Sequence, residues 1–127
     1  MGTSVATILL IDDDLELPEM NRLVLAHRGH EVWSACSARE AREILKKGRP
    51  DIVVLDVMSV SAGIELAREI HRQFPDLPIV VLSGGPQGIG SPFGVKPGED
   101  WLPIVRFLDK PVAPEVLADR IEGMLAK

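Results

Sequence analysis

The stretch Gly48-Arg-Pro-Asp-Ile-Val-Val-Leu-Asp-Val-Met58 decides the fold, because it sets four consecutive branched apolar residues, Ile52 to Leu55, directly before an acid, Asp56. A run this short with no polar alternation reads as a strand buried on both faces, the condition of a central strand in a parallel sheet. Working outward, the same pattern recurs. Ile8-Leu-Leu-Ile11 leads into Asp12-Asp13-Asp14, and Ile79-Val-Val-Leu82 leads into Ser83-Gly84. Five strand-length runs can be counted: Thr7 to Ile11, Glu31 to Ala35, Ile52 to Leu55, Ile79 to Leu82 and Ile104 to Leu108. The Glu31 to Ala35 run is mixed in character and suits a flank of the sheet.

Amphipathic segments separate the runs, as expected of a parallel sheet covered by helices on both faces. Leu15 to Arg28 places Leu15, Met20, Leu23, Val24 and His27 at helical spacing and stops at Gly29, suited to a left-handed terminus. Ser37-Ala-Arg-Glu40 has capping-box spacing and opens a helix that stops at Gly48. Ala62 to Phe74 gives a third helix before Pro75, and Pro114 to Leu125 a last one with proline in its first turn. The glycine- and proline-rich stretch 84–103 shows no sustained helical period and predicts a long loop, with at most a short helix near Glu99 to Leu102.

With 127 residues the chain has room for one domain. Hydrophobic residues at 46% and charged residues at 26% make it globular. No apolar run approaches the roughly 18 residues of a membrane span, and the N-terminus lacks a signal-peptide pattern, so a cytoplasmic protein is expected. A net charge of −5 without a basic run argues against direct nucleic-acid binding. Cys36, the single cysteine, reads as a packing residue. His27, His30 and His71 show no ligand spacing, and none is a strong candidate for acid–base work.

In a doubly wound sheet, ligands bind outside the carboxyl ends of the strands. Those ends are polar here: Asp12-Asp13-Asp14, Asp56, Ser83-Gly84 and Asp109-Lys110-Pro111. Carboxylates gathered at one edge repel, and a bound cation resolves the repulsion. An all-oxygen set beside a phosphoryl acceptor suits magnesium. Lys110 would supply a second positive charge to phosphoryl oxygens, Ser83 a hydroxyl, and Gly84 room for approach. The structural alternatives are that Asp12 to Asp14 cap the first helix, that Asp56 and Ser83 are turn residues, that Lys110 is a surface lysine, and that Phe107 is core.

Taken together, ILLIDDD, GRPDIVVLDVM, LPIVVLSGG and FLDKP resemble the receiver domains of bacterial two-component response regulators, over nearly the whole chain. The resemblance implies a flavodoxin-like (βα)5 fold, a doubly wound five-stranded parallel sheet of order 2-1-3-4-5, and the glycine-rich stretch makes the fourth helix short or irregular here. It implies that Asp56 is the phosphoacceptor and that Asp12, Asp13, Asp56 and the Met58 carbonyl hold Mg2+. Ser83, Gly84 and Lys110 would bind phosphate, Phe107 would be the aromatic switch, and Pro111 would follow a cis bond. The partners implied are a sensor histidine kinase or phosphotransfer protein and a downstream effector or fused output domain, with no nucleic acid or membrane and with homodimerisation open. The domain would catalyse only its own phosphorylation and slow dephosphorylation. Two departures stand out. VMSVSAG after Asp56 lacks the family's usual proline and reaches Gly63 one residue early, and the segment between Ser83 and Lys110 is longer than usual. A degenerate receiver serving as an interaction module is the main alternative. An aspartyl phosphatase of the haloacid dehalogenase type would want a second Asp where Met58 stands.

Overall fold

The computed structural model describes residues 6–12, 19–56, 60–83, 105–109 and 113–125. Five strands, β1 (Thr7–Asp12), β2 (Glu31–Ala35), β3 (Ile52–Asp56), β4 (Ile79–Ser83) and β5 (Val105–Asp109), form one parallel sheet of order β2-β1-β3-β4-β5. Four helices are described: α1 (Glu19–His27), α2 (Ala38–Lys47), α3 (Val60–Gln73) and α4 (Pro114–Leu125). The expected sheet and its order are those observed. Strands β1, β3 and β4 run one residue further than their apolar runs, so the polar strand-end residues belong to the sheet itself.

Side chains alternate along a strand, and the core divides accordingly into two layers. Leu9, Ile11, Val53, Leu55, Ile79 and Val81 pack with Ala41 and Leu45 of α2 and with Ile64, Leu66, Ala67 and Ile70 of α3. Ile8, Leu10, Ile52, Val54, Val80 and Leu82 pack with Leu25 of α1 and with Leu117, Ala118 and Ile121 of α4. Each face of the sheet therefore carries two of the described helices.

Helix α1 ends as its glycine predicts. Gly29 has φ +95°, its N–H donates to Ala26 at 2.9 Å, and the His30 N–H donates to Leu25 at 3.2 Å, the paired bonds of a Schellman ending. Among the described residues, its buried face matches the sequence reading only at Val24, which packs against the core. Leu25 goes inside, while Met20 and Leu23 are exposed at 59% and 50%, because the sheet and α4 select the face. Residues 15–18, the expected first part of this helix, lie outside the described residues.

The box that opens α2 is also modified. The Ser37 hydroxyl accepts from the Glu40 N–H at 3.1 Å, but the Glu40 carboxylate reaches the Cys36 N–H, one residue before the cap, at 2.8 Å. Gly48 ends α2 in an extended conformation open to any residue; its requirement is room, since a Cβ there would lie 3.2 Å from Trp33 Cη2. Helix α3 starts at Val60, two residues before the expected Ala62, and α4 spans the expected residues. The irregular segment expected at 84–103, with its short or missing helix, lies outside the described residues.

Candidate functional site at the strand ends

Register brings the acids together. Asp12, the last residue of β1, pairs with Asp56, the last of β3, and both continue the series of alternate residues that faces the α1–α4 layer. Adjacent strands lie about 4.8 Å apart, so the two carboxylates start from neighbouring positions on one face. Asp12 is 6% exposed and Asp56 half-buried. Ser83 ends β4 one residue beyond Leu82, the partner of Asp56, and pairs in turn with Asp109 at the end of β5. Four strand ends thus deliver Asp12, Asp56, Ser83 and Asp109 to a single edge.

Phe107 lies in mid-β5, opposite Val81. Asp13, Met58, Gly84, Lys110 and Pro111 lie outside the described residues. Three of them, Asp13, Gly84 and Lys110, follow directly in the chain on strand-end residues that the sheet places at the edge. Among the described residues no group of three or more His, Cys, Asp or Glu side chains is close enough to hold a metal, and Asp13, the expected third carboxylate, is not among them.

The same edge carries a residue whose surroundings the sequence did not show. Cys36, just past β2, is exposed and does not pack in the core as expected. Its Sγ lies 3.2 Å from Glu40 Oε1, the oxygen that also accepts the Cys36 N–H. That carboxylate raises the thiol pKa, so Cys36 holds its proton more tightly than an ordinary thiol. The Cys36 N–H in turn holds the Glu40 carboxyl below the usual range.

The described sheet and its order coincide with the family pattern read from the motifs. Residues 8–122 match the model of the response regulator receiver domain. The chain belongs to that family. It is a receiver domain of two-component response regulators. The transcriptional regulatory protein AfsQ1 of Streptomyces coelicolor is 34% identical over 95% of this receiver and 52% of its own length. Response regulator MprA of Mycolicibacterium vanbaalenii is 36% identical over 94% of the receiver and 50% of its own length. The chain therefore spans about half the length of these curated relatives. Among solved structures, chemotaxis protein CheY4 of Vibrio cholerae superposes with a TM-score of 0.73 at 26% identity, covering 96% of this receiver and all of that chain. Among the described residues no helix is long and apolar enough to cross a membrane.

Proposed function

We propose that this receiver accepts a phosphoryl group on Asp56 from a phosphohistidine of a sensor kinase or phosphotransfer protein and passes on the signal through its protein-binding surface. The observation that carries the reading is the register pair Asp12–Asp56 at the carboxyl edge of buried parallel strands, with Ser83 one strand away. An Asp56 carboxylate oxygen forms the new P–O bond as the P–N bond to the partner's imidazole breaks, and the imidazole leaves with the electron pair and takes a proton. Lys110, next after Asp109, is assigned the neutralisation of phosphoryl oxygens, and Ser83 and Gly84 their hydrogen bonding and clearance.

Receiver domains bind Mg2+, and the donors fit it: hard carboxylate oxygens from adjacent strands, one buried and one half-exposed, leaving positions for water and phosphate. We assign Asp12, Asp13, Asp56 and the Met58 carbonyl as the oxygens that would hold it. Bound there, magnesium would supply positive charge to the transferring group. Phe107 is assigned the switch role and Pro111 the turn after the lysine. The exposed Met20 and Leu23, on the helix that follows β1, offer apolar surface to a docking partner. Residues 1–127 are read as one such unit, acting in the cytoplasm, with a separate effector or a linked output domain downstream, and with no catalysis beyond its own phosphorylation and slow hydrolysis of the acyl phosphate.

Incubation with a small phosphodonor and Mg2+ should add the mass of one phosphate, labile in base and abolished by chelation of the metal. Absence of that gain on a folded protein would leave the interaction-module reading in its place.

A further inference from the structure

At the opposite end of the sheet from the acids, His30 is buried, its side chain 1% exposed, just before β2 begins. Its Nδ1 accepts the Ala6 N–H at 3.3 Å, and its Nε2 lies 2.9 Å from Glu122 Oε2 on α4. A ring nitrogen that accepts an N–H carries no proton, so the hydrogen bonds assign a neutral ring protonated at Nε2 that donates to Glu122.

We infer that His30 is a proton-operated tie between the start of β1 and the last helix. The neutral ring holds both ends. A second proton can enter only at Nδ1, where it points at the Ala6 N–H, so acid releases that amide while the imidazolium keeps Glu122. Among the described residues, charged groups beside the tie have partners of their own. Arg28 Nη1 donates to the second oxygen of Glu122 at 3.1 Å and to Asp119 at 2.9 Å, and Arg28 Nη2 reaches Glu115 at 2.7 Å. Glu31, next in sequence, accepts from Trp33 Nε1 at 2.9 Å, and Asp51 accepts the Thr7 N–H at 2.8 Å. Among these groups Glu122 contacts the ring directly. Both elements joined by the tie lead to the site edge, β1 through Asp12 and α4 from the segment after Asp109, so the protonation state of His30 bears on how the two are seated.

Nitrogen-15 spectra of the full chain, followed from neutral pH into acid, test the tie. The ring should carry its proton on Nε2 at neutral pH. On acidification the Ala6 amide shift should move with the midpoint of the His30 ring, and Ala6 hydrogen exchange should quicken roughly fivefold, the weight of one hydrogen bond. His30→Asn, which can still accept from Ala6 but gains no proton, should abolish the response. Glu122→Gln, which leaves the ring in place, should retain it and serves if His30→Asn does not fold. A ring protonated on Nδ1 at neutral pH, a ring that stays neutral until acid unfolding, an Ala6 amide that stays flat while His30 titrates, or a response that survives in His30→Asn would each overturn the inference.

Discussion

Leu25→Ala tests how a short helix of average polarity is held on the sheet. Among the described residues of α1, Leu25 alone is buried, and it shares its layer with Ile8 and Leu10 of β1 and with Leu117 and Ile121 of α4. Alanine keeps the Cβ and removes three carbons, about 2.4 kcal/mol at about 0.8 kcal/mol for each. The void has walls on the sheet and on a second helix that is itself pinned by buried residues, so it closes only in part and adds roughly 1 kcal/mol. The expected loss is therefore about 3 to 4 kcal/mol, a fall in Tm of roughly 10 °C or more for a domain of this size. Guanidinium denaturation followed by circular dichroism measures it, with an unchanged m-value as the check that the denatured state is the same. A loss below about 1 kcal/mol would mean that α1 is not anchored through Leu25. The folded fraction of the variant should still accept phosphate, because the substitution lies in the layer beneath the edge and leaves the strand ends in place.

Two further outcomes follow from the charges at the ends of α2 and between α2 and α3. Glu40→Gln removes the carboxylate that keeps the Cys36 thiol protonated, so the variant should react faster with a disulfide reagent at about pH 8 than the parent; equal rates would contradict the contact. Arg42 binds Glu69 through Nε at 2.7 Å and Nη2 at 3.0 Å and thereby lowers the Glu69 pKa. A carboxyl depressed in the folded state stabilises above its unfolded value, about 4.3, and loses that contribution as pH falls through the lower folded value. The tie between α2 and α3 should therefore weaken below about pH 4, and Arg42→Met should flatten that part of the acid stability profile; an unaltered profile would show the pair to be without effect.

The sheet was legible because a strand buried on both faces must be apolar at every position, and ILLI and two copies of IVVL satisfy that with no other use for such runs. The acids at its edge were legible for the complementary reason: polar residues that interrupt such runs at the same point in successive strands are carried by register to one line, and Asp12 opposite Asp56 is the result. Helix faces were less legible. Met20 and Leu23 have helical spacing, yet the buried residue is Leu25, since which side of α1 turns inward depends on where α4 lies. Cys36 was misplaced because a small apolar residue after a strand reads as core until Glu40 is seen to claim both its thiol and its amide. His30 and Arg28 gave no local signal at all. Their partners, Glu115, Asp119 and Glu122, come from the other end of the chain, and a pairing across some ninety positions leaves no period or spacing to read.

Treatment of the phosphorylated domain with sodium borohydride tests the central claim most directly, because hydride reduces an aspartyl phosphate to homoserine and marks the acceptor permanently. Peptide mass spectrometry should then find homoserine at position 56, the last residue of β3, and only after exposure to phosphodonor and Mg2+. Homoserine at Asp12 or Asp13, or phosphate retained on Ser83 through the reduction, would contradict the assignment of Asp56 as the acceptor.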